Sequence, residues 1–538
     1  MKLSRRNLIK IGLLSGGVIA FSLSIRRLMQ KSSSPTLRYF QASLPIPPTL
    51  EPIRRDATTD YYELTVQRNW VEFLPGRKTE IWGYNGIMPG PTIRQRGGRS
   101  PTHQRKTVLR VINKLDQDSE GEPLSLVTHL HGMASLPQYD GYTMDIVAPG
   151  FYKDYHYPND RAASLWYHDH SMDKTSRNIQ MGLAGMYIVE DDYELNLPLP
   201  KGDYDIPLIL QNKRLATDGS LFRDADTQTL YGEIDLVNGA PWPRLEVANR
   251  KYRFRILNTS AARTYRLMLS RSLSETTPET LVVIGGDGGL LAEPVSVNMP
   301  TESLRVAAAE RYDAIVDFAR YPVGSQVFLH HVKTVTQDGV KTRQILPVMR
   351  FDVVRTANDD SSIPRQFRSL EVLKPTPTLP TRTFLFKKER GKWVINHLGW
   401  DHDRIDANPR AGATEIWVFK NPEAGRVHPV HVHLAEAQIL DRNGKPPLPY
   451  ERGWKDTFFL GERETIRAIV RFPSRDGQPI QGKYMMHCHN LDHEDNAMMI
   501  QFEVGHGGPD PVATAPAKLY RTTAQTNPPR KTSSHQAS

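Results

Sequence analysis

The amino-acid sequence predicts an all-β chain folded into stacked β-sandwiches or barrels. Short segments rich in β-branched and aromatic residues recur between turn residues, and no long stretch carries the 3.6-residue period of an amphipathic helix. Forty prolines and 37 glycines among the 538 residues supply many turns. The candidate strands are Tyr61–Leu74, Lys106–Leu115, Ile206–Leu210, Lys251–Leu257, Leu304–Phe318, Glu415–Phe419, Glu464–Phe472 and Met499–Val504.

The chain of 538 residues is longer than one hydrophobic core normally serves. Changes in composition along it predict three β-domains. The run Leu197–Pro200 ends a first unit, and the polar Thr356–Pro364 with the proline-rich Pro375–Pro380 separates a second unit from a third. We expect domains at 36–196, 201–357 and 381–506, a linker at 358–380, and a tail at 507–538. The tail is polar and proline-rich, so we expect it to be disordered.

A sequence pattern that occurs in two of the units supports this division. In the first unit Trp166–His170 leads into the apolar run Gly185–Glu190, and in the third Met485–His489 leads into Met499–Val504. Two units therefore share a histidine-bearing segment followed by a closing strand.

The N-terminal residues 1–31 read as an export signal. They hold seven basic residues and no acid, and the uncharged stretch Ile11–Ile25 is too short for a comfortable membrane span. The segment Ser4–Lys10 resembles the twin-arginine motif, which implies a bacterial protein folded before the twin-arginine export machinery carries it to the periplasm or outside. The alternative is an uncleaved N-terminal anchor, because no A-x-A-like cleavage site follows.

The formal charge of +10 lies at the two ends of the chain. With the basic N-terminus and the basic tail set aside, residues 32–506 are formally neutral. We therefore expect small-molecule partners, no nucleic acid and no stable membrane partner unless the signal is uncleaved. We also expect a monomer.

The single cysteine, Cys488, excludes an intramolecular disulfide and a cysteine-only metal cluster.

Histidines form four clusters with one spacing. Alternate residues of a strand share a face, so each His-x-His sends two imidazoles to one side, about 6.6 Å apart along the strand. Such a pair can bind one metal ion or bridge two. Eight imidazoles suffice for three metals with open positions for a small ligand. The pairs are His129 and His131, His168 and His170, His431 and His433, and His487 and His489.

Cys488 lies between the last pair and must face the opposite side of its strand. His493 follows it by five residues, Met498 by ten, and His428 stands just before the pair His431 and His433. A thiolate, two imidazoles and a thioether form the donor set of a blue-copper electron-transfer site. A structural zinc site is closed by four ligands and does not use methionine, so this donor set does not fit zinc. No acyl-transfer motif surrounds Cys488, so the sequence does not indicate a catalytic nucleophile there.

These clusters resemble the copper motifs of the multicopper oxidases, in the branch of bacterial spore-coat laccase and bilirubin oxidase. The resemblance extends to Trp82–Gly86, Pro89–Ile93, Leu236–Gly239, Lys251–Arg255, Glu310–Asp313 and Gly453–Thr457, and covers roughly 40–506. It implies three cupredoxin-like Greek-key β-barrel domains, four coppers per chain, and oxygen reduced to water. Type 1 copper would lie in the third domain and the other three between the first and third.

The resemblance also assigns ligands by motif. Type 1 copper would take His428, Cys488 and His493 with Met498 as axial ligand. Type 2 copper would take His129 and His431. The type 3 pair would take His131, His168, His170, His433, His487 and His489.

Two acids resemble catalytic residues of this family. Asp140 matches an aspartate beside the trinuclear centre, and Glu494 matches an acid on the oxygen-access side. Four protons must reach reduced oxygen, so each is a candidate proton relay, with Cys488 as the residue that passes electrons between the sites. The alternative is that both acids only orient histidines through the second ring nitrogen.

These features lead us to expect a laccase-like oxidase that takes single electrons from phenolic or aromatic donors near His493. The alternatives are a metallo-oxidase for Cu(I) or Mn(II), a bilirubin oxidase, and a non-catalytic periplasmic copper-binding or envelope protein. Arg426 stands where fungal bilirubin oxidases carry a tryptophan, a departure that argues against bilirubin specificity. The chain also lacks the methionine-rich insertion of cuprous oxidases.

Overall fold

The structure, a computed structural model, describes residues 37–98, 104–221, 231–274, 277–298, 303–337, 340–475 and 477–521. The predicted export signal at 1–31 lies outside the described residues. Within them the chain is almost entirely β, as predicted from the sequence, and the α-helices are the short α1 (Thr175–Met181), α2 (Asp192–Asn196) and α3 (Leu491–Asp495). None of the described helices has the length and apolar character needed to cross a membrane.

The first unit consists of two sheets. Its strands are β1 (Arg54–Arg55), β2 (Thr59–Leu74), β3 (Arg77–Tyr84), β4 (Ile93–Arg96), β5 (Lys106–Asn113), β6 (Thr128–His131), β7 (Phe151–Tyr157), β8 (Ala163–Asp169) and β9 (Ala184–Glu190). One sheet has the order β1-β2-β5-β7, with β3 also paired to β2, and the other has the order β4-β9-β8-β6. Inward residues alternate along β2, where Tyr62, Leu64 and Val66 are buried.

The second unit also consists of two sheets. They are β10 (Asp205–Lys213), β11 (Ile234–Val237), β12 (Ala240–Pro241), β13 (Arg244–Ala248), β14 (Lys251–Asn258), β15 (Tyr265–Ser270), β16 (Leu281–Gly286), β17 (Gly289–Val297), β18 (Leu304–Val306), β19 (Arg311–Asp317), β20 (Gln326–Gln337) and β21 (Val340–Arg355). They form one sheet ordered β12-β11-β10-β14-β19-β16-β17 and another ordered β13-β21-β20-β15-β18.

The third unit carries the last histidine clusters. Its strands are β22 (Thr381–Glu389), β23 (Lys392–Ile395), β24 (Thr414–Asn421), β25 (His428–Val432), β26 (Glu436–Arg442), β27 (Thr457–Leu460), β28 (Glu464–Arg471), β29 (Ser474–Arg475), β30 (Gln478–Pro479), β31 (Gly482–Cys488) and β32 (Met499–Val504). Two sheets face each other, ordered β23-β22-β24-β28-β26 and β27-β25-β31-β32.

Each unit has its own apolar core, and a further cluster lies where all three meet. Trp166 of the first unit, Ile209 and Leu257 of the second, and Leu491 of the third belong to this shared cluster. Strand β8, which carries Trp166 and His168, is buried at every position because it is covered on both faces. The histidine-bearing strand β8 of the first unit is therefore packed against an apolar centre to which all three units contribute.

Two expectations differ from the structure. The predicted strand Leu304–Phe318 is divided into β18 and β19, because Ala309 adopts a positive φ of 70° and the Glu310 carboxylate accepts the backbone N–H of Ala307. The expected disorder of the tail is wrong for residues 507–521. Lys518–Leu519 forms a short strand, β33, that pairs with β7 of the first unit because the edge of β7 offers free backbone groups.

The predicted linker at 358–380 has no helix or strand between Arg355 and Thr381, yet it packs on the second unit and on the first. Phe367 is buried, its N–H donates to Ala292, and Arg368 makes a two-point ion pair with Asp191.

Candidate metal centre

Strand register brings the histidine pairs together. In the first unit β6 pairs with β8, so that His129 lies opposite His168. In the third unit β25 pairs with β31, with His431 opposite His487 and Val430 opposite Cys488. Side chains alternate along a strand, so Cys488 faces away from the histidines on either side of it.

All eight histidines of the four His-x-His pairs meet in one buried cluster between the first and third units. We call this the interface cluster: His129, His131, His168, His170, His431, His433, His487 and His489. Nε2 of His129 lies 3.4 Å from Nε2 of His431. Nε2 of His487 lies 3.2 Å from Nε2 of His170 and 3.3 Å from Nε2 of His433. The rings of His168 and His489 are 5.3 Å apart, and each is within 5.8 Å of His131.

The nitrogens of this cluster suit bound cations. Buried ring nitrogens normally find a hydrogen-bond partner, yet Nε2 of His168 and of His489 and Nδ1 of His131 have none among the described residues. Burial, reinforced by the neighbouring histidines, holds the pKa of His168 and His489 well below the usual value, so both rings are neutral and able to coordinate. The described residues thus provide a site with the donor chemistry for several metal ions.

Two carboxylates lie close to the outer ring nitrogens of this cluster. Nδ1 of His433 donates to Asp140 Oδ2 at 2.7 Å, and Nδ1 of His129 donates to the Asp140 carbonyl oxygen. Glu494 Oε2 lies 3.0 Å from His487 Nδ1. Burial raises the pKa of Asp140 well above its ordinary value. Burial acts in the same direction on Glu494, but His487 and His170 outweigh it and lower that pKa.

A third acid, Asp456, and its partner Arg311 were missed as site residues. Nε2 of His131 donates to Asp456 Oδ1 at 3.0 Å, and Nδ1 of His431 donates to the Asp456 carbonyl at 2.9 Å. Arg311 of the second unit donates to both carboxylate oxygens, at 2.7 and 2.6 Å. Both residues lie in motifs that carried the family resemblance, Glu310–Asp313 and Gly453–Thr457, which was the available signal. The second unit therefore reaches the interface cluster through one ion pair.

The remaining candidate ligands form a second group inside the third unit, the cysteine cluster: His428, Cys488, His493 and Met498. The Cys488 sulfur lies 3.5 Å from His428 Nδ1 and 3.3 Å from His493 Nδ1. Met498 is buried in the same core, and its carbonyl accepts the Cys488 N–H at 3.1 Å. Burial raises the pKa of the Cys488 thiol, so a thiolate here requires a bound cation.

The two imidazoles of the cysteine cluster differ in exposure. His428 is fully buried, whereas His493 is 6% exposed and lies against the ring of Trp393, with 3.6 Å between ring centroids and 31° between planes. Trp393 belongs to β23, and no motif or spacing along the chain indicated this contact.

Comparisons with known proteins agree with this geometry. Multicopper oxidase family models match residues 65–194 and 374–508, and these segments contain all twelve candidate ligands. The chain is 34% identical to a laccase of Bacillus subtilis over 87% of its own length and 99% of that protein. It belongs to the multicopper oxidase family. Copper is accordingly the cofactor, and the enzyme is an oxidoreductase that uses O2.

Other relatives of this multicopper oxidase point to the same branch. A bilirubin oxidase of Albifimbria verrucaria is 35% identical, with 87% of this chain and 82% of that protein covered. The crystal structure of a laccase from Pediococcus acidilactici superposes with a TM-score of 0.75 at 30% identity, covering 88% of this chain and 95% of that one.

Proposed function

We propose that this multicopper oxidase oxidises phenolic and other aromatic donors one electron at a time at the cysteine cluster and reduces O2 to water at the interface cluster. The observation that carries the proposal is the tripeptide His487-Cys488-His489, whose cysteine belongs to one buried donor set and whose histidines belong to the other. The two reactions are thereby joined by a few covalent bonds.

We assign the candidate ligands to the copper sites according to which donor atoms lie together. His428, Cys488, His493 and Met498 would hold the type 1 copper. His129 and His431 hold type 2 copper. The type 3 pair takes His131, His168 and His489 on one side and His170, His433 and His487 on the other. When bound, copper supplies one-electron transfer in the first set and four-electron reduction of O2 in the second.

The chain's own residues perform three tasks in this scheme. His493 is the more exposed ligand, so donors need only approach its edge and never enter the protein. The backbone of Cys488 carries electrons to the neighbouring histidines. Asp140 and Glu494 hold the outer nitrogens of cluster histidines and pass protons toward the site of oxygen reduction.

We further propose that the enzyme acts as an exported monomer in the bacterial periplasm or outside the cell. The support for export is the basic segment with a twin-arginine-like motif at 1–31.

Oxygen uptake by the copper-loaded protein tests this function. We expect about four coppers per chain and uptake with phenols that exceeds uptake with bilirubin, Cu(I) or Mn(II). Faster turnover of a metal ion would instead make the protein a metallo-oxidase. A full copper complement without uptake on any donor would contradict the proposal.

A further inference from the structure

The aromatic ring of Trp393 stands beside the outer imidazole of the cysteine cluster. It is 7% exposed, its ring lies 3.6 Å from that of His493, and it also approaches the His428 ring at 6.1 Å, edge to face. An electron that enters at His493 from outside therefore has an indole in contact with its entry point. The indole is large, rigid and amphipathic, which suits contact with a flat aromatic donor.

Two cations lie over this indole. The Lys388 ammonium is 4.6 Å and the Arg426 guanidinium 5.7 Å from its ring centroid, both within the distance of a cation–π contact. Lys388 is directly opposite Trp393 in the pairing of β22 with β23, so strand register fixes this contact.

The positive charge at this place is not fully balanced. Glu423 pairs with Arg426 at 2.9 Å, and Glu389 pairs with Lys387 at 3.4 Å on the other face of β22. Among the described residues, no carboxylate oxygen lies within 4 Å of the Lys388 ammonium. Glu423, which pairs with Arg426, accepts the backbone N–H of Lys388 at 2.9 Å. Lys388 thus presents an unneutralised charge beside the indole.

We propose that Trp393, Lys388 and Arg426 form a contact site for aromatic donors that carry a negative charge, such as phenols bearing a carboxylate or sulfonate. This inference rests on the proposed function and names the donor class that the cysteine cluster favours. The donor ring contacts Trp393 and its anionic group faces Lys388.

The redox step at this site is a one-electron oxidation. A phenolic donor loses one electron and one proton and becomes a phenoxyl radical. The proton goes to water, and the electron passes through the Trp393 and His493 contact toward Cys488. O2 is the final acceptor of four such electrons.

A matched pair of donors tests the charge preference. Sinapate and its methyl ester share one phenol ring and differ by the carboxylate charge. We expect Lys388→Gln to raise KM for sinapate about fivefold, the scale of one surface ion pair, and to leave KM for the ester unchanged. Added salt should weaken sinapate oxidation in the same way.

Lys387→Gln is the matched control, because it removes the same charge from the adjacent residue, which faces Glu389 instead. An equal rise in KM for Lys387→Gln and Lys388→Gln, or an equal effect on sinapate and its ester, would overturn the proposal.

Trp393 is tested by its own variant. Trp393→Leu should lower kcat for sinapate and for its ester about tenfold while the blue absorption of the protein stays unchanged. Unchanged kcat with both donors would remove Trp393 from the site.

Binding of a redox-inert anion separates this inference from the proposed function. We expect calorimetry to show benzenesulfonate binding about fivefold more weakly to Lys388→Gln than to wild type and Lys387→Gln, with no such difference for neutral benzenesulfonamide. This result would support the site even if no donor gave oxygen uptake, which would contradict the proposed function alone. Equal benzenesulfonate affinity in all three proteins would contradict the site.

Discussion

The interface cluster and the cysteine cluster are built in different ways. The first takes its histidines from two units, and Arg311 of the second unit braces Asp456 beside it. The second takes every ligand from the third unit, within one core that includes Trp417 and Phe502. The interface cluster therefore depends on how the units assemble, whereas the cysteine cluster depends on one unit, and single substitutions should be able to separate them.

The largest effect is expected from Cys488→Ser, which removes the residue that belongs to the cysteine cluster and joins it to the other. The serine is nearly isosteric, so the fold should persist, but donor oxidation and the blue absorption should both be lost. Absorption spectra and oxygen uptake check this outcome. Retention of either property would contradict the assignment of Cys488.

Arg311→Met should damage the interface cluster selectively. It leaves Asp456 buried without its cation, and breaking a buried pair in this way costs about 3–5 kcal/mol of the free energy of unfolding. We expect copper content to fall at the interface cluster while the blue absorption per chain is kept. Copper analysis beside the absorption spectrum measures this, and an equal loss at both clusters would argue against separate dependence.

The pH dependence of unit assembly can be tested at Glu451, which joins Arg305 of the second unit to Arg442 of the third at 2.6 and 2.7 Å. Burial acts to raise its pKa, but these arginines lower it to about 2, from 4.5. Its contribution to stability is thus complete above about pH 4.5 and disappears as the pH falls toward 2.

Glu451→Gln should accordingly cost about 3 kcal/mol at neutral pH. The difference in Tm between wild type and variant should narrow as the pH falls below 4.5, as calorimetry at pH 7 and pH 3 would reveal. A gap that stays constant with pH would mean that the carboxylate charge is not what joins the units.

Asp140 allows the two roles of the carboxylates to be distinguished. Asp140→Asn keeps an oxygen that can accept from His433 Nδ1 but cannot carry a proton. If Asp140 relays protons, kcat should fall about 100-fold or more, the usual contribution of a positioned acid–base group, with copper content unchanged. Asp140→Ala should lose copper as well. Near-normal turnover by Asp140→Asn would leave only the orienting role.

The smallest effect is expected from Met498→Leu, because the axial thioether is the weak member of a blue-copper set. The blue absorption and turnover should persist, with a shifted reduction potential that voltammetry detects. Loss of copper from this variant would show that the sulfur is a strong ligand after all.

The sequence predicted the clusters because a strand has a fixed period of two. His487, Cys488 and His489 alternate whatever the rest of the fold does, so one pair and one thiol on opposite faces could be expected from the order of the residues alone. The all-β class followed from the same local patterns. The contacts that join separate units could not be predicted from these local patterns.

Three features show that limit. The ion pair of Arg311 with Asp456 exists only where the units meet, and Trp393 reaches His493 only because β23 folds back beside β22. The break before β19 depends on the single positive φ of Ala309. Each is set by packing, and no period or spacing in the chain encodes it.

The short strand β33 gives the molecule a closed path. The chain leaves the first unit, passes through the second and third, and returns at Lys518 to pair with Tyr152; the N–H of Tyr520 then donates to Gly150. The two units that share the interface cluster are consequently tethered twice, through the second unit and through the tail. The second tether raises the effective concentration of each half of the interface cluster near the other. The first and third units should therefore re-associate rapidly after a momentary separation.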